Sequence, residues 1–186
     1  IIATHDTIGE SKVVVCEARI KQLNPNCEVQ GHQMFYLPET AEHLDFTEYD
    51  YVVDAVDTVS AKLDIIERCK SVRFPIISCM GCGNRIDPTK LAITDIAKTS
   101  MDPLAKVIRK GLKDRRIKGV KVLCSTEEPI VPILPEGGEA EGKGTSGRVA
   151  PGSTPFVPAA AGLAIASEVV KDLTGFDSRK RTKGGR

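Results

Sequence analysis

After Gly9-Glu10 the apolar residues Val14, Val15, Ala18 and Leu23 recur at helical spacings behind Ser11, which stands where an N-cap belongs. Asn24-Pro25-Asn26 stops that helix. Residues 27–37 (CEVQGHQMFYL) have the content of a strand, interrupted at Gly31. Tyr51-Val52-Val53-Asp54-Ala55-Val56 is a short apolar run bounded by acids, as in a buried parallel strand. The spacing then predicts a helix over 60–70 with Leu63, Ile65 and Ile66 facing inward. A strand over 74–78 runs into the glycine-rich Cys79-Met80-Gly81-Cys82-Gly83.

Helices alternating with strands imply parallel strands joined by crossover helices, an α/β fold. The pattern continues with a strand over 91–94, an amphipathic helix over 101–113 with a basic outer face, and a strand over 120–124. Residues 135–153 hold six glycines and two prolines with no helical or strand period, which predicts a flexible loop. Residues 155–173 read as a buried helix whose Ala159-Ala160-Ala161-Gly162, Ala164 and Ala166 allow close packing. Residues 174–186 form a basic tail, expected to fray.

Composition narrows the class without naming a partner. Apolar residues make up 41% and charged residues 27%, which argues against disorder and against a fibre. The formal net charge of +1 is unevenly spread. Residues 98–121 carry Lys98, Lys106, Arg109, Lys110, Lys113, Arg115, Arg116, Lys118 and Lys121 against Asp102 and Asp114 only. The longest apolar stretch, 156–166, is shorter than the about 20 residues a membrane helix needs, so no membrane segment or targeting signal is expected. Six cysteines scattered through apparent helices and strands predict a reducing cytoplasm, not a disulfide scaffold.

Three features carry candidate chemistry. Asp54 and Asp57 flank the carboxyl end of a strand, where open α/β sheets bind ligands. One of them caps the following helix, or a carboxylate there holds a Mg²⁺ whose other ligands are substrate phosphates. Lys12 stands one residue after an N-cap, where a cation opposes the helix dipole unless an anion is bound. It is a phosphate contact or a solvated lysine. Cys79-x-x-Cys82 offers half a zinc site, a redox pair or a glycine-rich loop that lets backbone approach a ligand. No second paired spacing among His5, His32, His43 and the other cysteines completes a zinc site, and Gly83-Asn84-Arg85-Ile86-Asp87-Pro88 reads as turn, so the loop reading is preferred. No G-x-G-x-x-G, Walker loop, H-E-x-x-H or G-x-S-x-G motif is present.

One ordered set of pieces carries a resemblance. It comprises Thr7-Ile8-Gly9-Glu10-Ser11-Lys12, Leu23-Asn24-Pro25-Asn26-Cys27, Asp54-Ala55-Val56-Asp57 and Ile86-Asp87-Pro88-Thr89. Asp95-Ile96-Ala97-Lys98-Thr99, Asp102-Pro103-Leu104 and Ser125-Thr126-Glu127 complete it. The chain resembles the ubiquitin-activating-enzyme-like (ThiF/MoeB/HesA) superfamily of adenylating enzymes, and 86–127 is similar to the branch containing tRNA threonylcarbamoyladenosine dehydratases. The resemblance implies a Rossmann-like domain with a mostly parallel sheet, of which 1–186 form the C-terminal two-thirds. It implies ATP and Mg²⁺, adenylation of the threonylcarbamoyl carboxylate on adenosine 37 of tRNA, and a cyclising dehydration. It assigns Asp57 to Mg²⁺–ATP, Lys12 to the phosphates and Lys62 to a position beside the nucleotide. It further implies a homodimer, with tRNA meeting the basic surface 98–121 as charge alone permits.

Members of this superfamily carry a strand, a glycine-rich phosphate loop, a ribose-binding acid and an Arg-Gln pair before the position of Ile1. Without that first βαβ unit the chain as given is expected to bind ATP poorly. Some relatives also carry a cysteine where this sequence has Val149-Ala150-Pro151-Gly152-Ser153. Two alternatives stand beside the dehydratase: an adenylyltransferase for a ubiquitin-like sulfur-carrier partner, and a non-enzymatic scaffold.

Overall fold

The computed structural model describes residues 2–131, 133 and 151–177, which divide into two compact units, Ile1–Leu44 and Asp45–Arg186. In the first unit, α1 (Lys12–Leu23) follows Ser11 in extended conformation at the N-cap, and Asn24 closes it by donating its N–H to Ile20 O at 2.8 Å. Asn24 Oδ1 then accepts from Asn26 N at 3.1 Å, so the predicted stop is built by an asparagine turn. The strand expected over 27–37 does not form. The first unit has no strand among its described residues, so an extended segment there finds no ladder partner. Gly31 lies against α1, where a Cβ would stand 2.5 Å from Val13 Cγ1.

The second unit is a four-stranded sheet in the order β1 (Val52–Asp54), β2 (Ile76–Cys79), β4 (Lys121–Ser125), β3 (Leu91–Asp95). β1 pairs with β2 and β2 with β4 in parallel, as the alternation of elements implies. β3 departs from it: it runs antiparallel to β4, with Leu91 opposite Ser125 and Asp95 opposite Lys121. The sheet is therefore mostly parallel with one reversed edge.

Side-chain alternation assigns the two faces. Ile77 on β2 and Leu123 on β4 pack on Ala161 and Ile165 of α4 (Phe156–Thr174), with Leu91 and Ile93 of β3 beside them. Ile76 and Ser78, one position out of phase, face α2 (Val59–Ser71), which packs against α3 (Pro103–Asp114). The three predicted inward residues Leu63, Ile65 and Ile66 are all buried. On α3, Ala105, Ile108 and Leu112 are buried at i, i+3, i+7 and the lysines face out.

α4 corrects an expectation. It forms over nearly the predicted span, yet only Val157, Ala161 and Ile165 are buried. Phe156, Leu163, Val170 and Leu173 stay exposed, because the sheet covers only one of its faces. The loop predicted over 135–153 lies outside the described residues except for 151–153, and of the basic tail only 174–177 is described.

Candidate functional site

The carboxyl ends of β1, β2 and β4 gather most of the buried charge of the second unit. Asp54, the last residue of β1, is 1% exposed, and Lys62 on the first turns of α2 is 0% exposed. Lys62 Nζ donates to Asp54 Oδ2 at 2.8 Å, to Cys79 O at 2.8 Å and to Ser78 Oγ at 3.3 Å. Ser78, paired with Asp54 across the ladder, donates its hydroxyl to the same carboxylate, and Asp54 Oδ1 accepts from Val56 N at 3.1 Å. Every donor of the ammonium is used. Lys62, expected beside the nucleotide, thus lies inside this network with no exposed side-chain atom.

Asp57 lies three residues further on, in the turn between β1 and α2. It is exposed and makes no hydrogen bond or ion pair among the described residues. Neither acid caps α2, whose N-cap is Thr58 without a side-chain bond. Of the two carboxylates, then, one is locked into the fold and the other is free at the rim. The exposed, unpaired carboxylate fits a magnesium ion, which takes one or two protein carboxylates and fills its remaining positions with water and phosphate oxygens.

The segment after β2 forms the adjoining wall. Met80 donates its N–H to Leu123 O at 2.8 Å, and Gly81 donates to Asp102 Oδ2 at 3.1 Å. Asp102 also caps α3 by accepting from Ala105 N at 2.9 Å, and it faces the guanidinium of Arg85 at 3.8 Å. Arg85 is 2% exposed and donates to the carbonyls of Glu127 and Met101. Asn84 occupies the left-handed region at φ 56° and ties three strands of chain together: its N–H donates to Gly152 O, its Oδ1 accepts from Gly152 N, and its carbonyl accepts from Ile130 N. Gly83 is required beside it, since a Cβ there would stand 2.7 Å from Pro151 Cβ. The Glu127 carboxylate accepts from Ile86 N and Asp87 N, while Asp87 caps a short turn by accepting from Thr89 N at 2.9 Å.

Lys12 belongs to the first unit, as the exposed first residue of α1. Cys79 ends β2 and residues 80–82 form a loop, as read from sequence, with a turn at Gly83-Asn84. No cluster of three or more metal-ligating side chains occurs among the described residues. Sequence reasoning missed Arg85, Asp102 and the Asp54–Lys62 pair. The Asp102-Pro103 signature of a helix start was available, and so was a lysine on the apolar face of α2 between Ala61 and Leu63.

Comparison with known proteins decides the family. The ThiF family model matches residues 1–184. The chain belongs to the ThiF family. Within that family it is 42% identical over 185 residues to the tRNA threonylcarbamoyladenosine dehydratase of Bacillus subtilis, covering 97% of this chain and 73% of that protein. It is 36% identical over 140 residues to the Escherichia coli dehydratase, covering 71% of this chain and 52% of the relative. The crystal structure of the Escherichia coli enzyme in complex with ATP superposes with a TM-score of 0.77 at 32% identity, covering 94% of this chain and 68% of that one. The likeness confirms the α/β adenylating-enzyme fold. A weaker likeness to an adenylyltransferase and sulfurtransferase of Drosophila sechellia, at 30% identity, reaches 42% of this ThiF-family chain. No helix among the described residues is long and apolar enough to cross a membrane.

Proposed function

We propose that this ThiF-family chain belongs to an ATP-dependent dehydratase acting on threonylcarbamoyladenosine in tRNA. The observation that carries the reading is the free carboxylate of Asp57 at the carboxyl end of β1, in a chain 42% identical to a dehydratase over nearly its whole length. Support also comes from the structural likeness to an enzyme solved with ATP. ATP supplies an adenylyl group to one oxygen of the substrate carboxylate and releases pyrophosphate; attack on the activated carbon from within the same side chain then expels AMP, so the nucleoside loses one water overall.

The roles assigned to this chain follow from charge and position. Asp57 holds Mg²⁺ against the phosphates, since it alone of the two β1 acids is exposed and unpaired. Lys12, in the first turn of α1 with no acidic residue beside it, is assigned a phosphate contact. Lys62 acts from beneath: by joining Asp54, Ser78 Oγ and Cys79 O it fixes the two strand ends from which the rim departs. A preorganised rim lets a carboxylate stabilise developing charge without reorganisation.

The basic segment 98–121 is assigned to tRNA, in a narrower form than its sequence suggests. Arg109 is held by Thr99, Arg115 by Glu67, and Lys121 by Glu168 and Asp172. Lys98, Lys106, Lys110, Lys113, Arg116 and Lys118 remain exposed and unpaired among the described residues, and these form the surface for phosphate contacts. A homodimer and a cytoplasmic setting complete the reading. The apolar outer face of α4 supports the first, and six free cysteines support the second.

The test uses the full-length protein with ATP, Mg²⁺ and tRNA bearing threonylcarbamoyladenosine, followed by digestion and weighing of the nucleosides. ATP-dependent loss of one water from that nucleoside is the expected result. ATP binding without dehydration would overturn the reading in favour of adenylation of a small sulfur-carrier protein, the activity suggested by the partial likeness to an adenylyltransferase and sulfurtransferase.

A further inference from the structure

We infer that Cys79 and Cys82 form a dithiol site that closes to an intramolecular disulfide with a low-molecular-weight disulfide as oxidant. The inference is independent of the dehydratase reading.

The two Sγ atoms stand 3.8 Å apart, in contact but unbonded. The Met80 carbonyl lies within reach of both sulfurs, 3.5 Å from Cys79 Sγ and 3.8 Å from Cys82 Sγ, and accepts from the thiol that does not donate to the other sulfur. Hydrogen bonds to the backbone hold the intervening loop in place. Cys79 is in register with Leu123, its carbonyl accepts from Lys62 Nζ, Met80 N donates to Leu123 O, and Gly81 N donates to Asp102. Closing the sulfur gap therefore asks for side-chain rotation, not for refolding of the loop. Zinc is not the natural occupant, because two thiolates supply half a tetrahedral set and no third ligating group joins them among the described residues.

The environment makes the two sulfurs unequal, as thiol–disulfide exchange requires. With Cys79 as the donor of the sulfur–sulfur hydrogen bond, the Cys82 thiol is held below its ordinary range, Arg85 adding to the effect, against burial, Asp102 and Asp57. That same bond and burial push Cys79 far up. Cys82 is thus the attacking thiolate and Cys79 the resolving thiol. Both are only partly buried, at the margin of the core formed by Ile77, Leu123, Ala161 and Ile165, whereas Cys69 is sealed, with burial pushing its thiol up to about 11, and Cys124 is buried and raised likewise.

The balance is simple. The Cys82 thiolate attacks one sulfur of the oxidant, its S–S bond breaks, and one thiolate leaves. Cys79, losing its proton, attacks the Cys82 sulfur of the mixed disulfide and expels the second thiolate. Two electrons pass from the protein dithiol to the oxidant, and two protons end on the two small thiols.

The experiment exposes the full-length protein to glutathione disulfide, alkylates the remaining thiols and maps the peptides. Expected is loss of alkylation at Cys79 and Cys82 together, restored by dithiothreitol, in a peptide lighter by two hydrogens and free of glutathione. Cys79→Ser should accumulate a stable glutathione adduct on Cys82, while Cys82→Ser should leave Cys79 alkylatable. Should both thiols stay alkylatable, or should glutathione persist on the wild-type pair, the site is overturned. Equal adduct formation by the two serine variants would overturn the assignment of attacking and resolving roles.

Discussion

The floor and the rim at the carboxyl ends of β1 and β2 both carry acidic side chains, and these do opposite things. On the floor, Asp54, Lys62 and Ser78 are sealed and satisfy one another completely. On the rim, Asp57 is exposed and unpaired, three residues away in sequence. A buried charge of this kind is stable only while its partner is present, so the floor is committed to the fold. An exposed carboxylate costs the fold nothing to keep and is free to meet a cation. Burial, not residue type, separates structural from chemical acids here.

The contrast is broken most severely at Lys62. Lys62→Ala strands the Asp54 carboxylate and should cost about 3–5 kcal/mol in denaturant unfolding. Asp102→Ala comes next: losing the α3 cap costs about 1 kcal/mol, and leaving Gly81 N–H without its acceptor and the buried Arg85 guanidinium without its counter-charge adds about 1–3 kcal/mol. Acid acts more gently. Asp87 is held below the usual carboxylate range by the Thr89 hydroxyl and then the Thr89 N–H. A carboxylate with a depressed folded-state value contributes stability above its unfolded value and loses it as pH falls through the folded one. Thermal melts should therefore drop on acidification below the ordinary carboxylate range, and less so in Asp87→Asn. Smallest is Asp57→Asn, which should leave the unfolding free energy within about 0.5 kcal/mol of wild type.

Much of this was legible in the chain. Ser11, Asn24 and the 3.6-residue period on α2 and α3 gave those helices nearly at their observed ends. Asp57 could be placed at a strand end from the apolar run before it. Direction was not legible: an alternation of helix and strand is the same on paper whether β3 lies parallel or antiparallel to β4. Hydrophobic content also misled for α4, since it reports what could be covered and not what covers it. Several of the pieces that pointed to the dehydratase branch also hold the fold. Ile86-Asp87 is bound by Glu127, Asp95 and Asp102 cap their turns, and Thr126 N donates to Lys90 O. Long-range pairs such as Asp54–Lys62 and Arg85–Asp102 leave only a charge in an apolar setting as their trace in the sequence.

The central claim is that Asp57 serves chemistry and not the fold. The most direct measurement is AMP formation by full-length Asp57→Asn protein, supplied with ATP, Mg²⁺ and tRNA bearing threonylcarbamoyladenosine. A loss of about 100-fold or more, the scale of one missing transition-state contact, is predicted alongside an unchanged unfolding midpoint. A rate equal to wild type, or a loss that follows a collapse in stability, would contradict it.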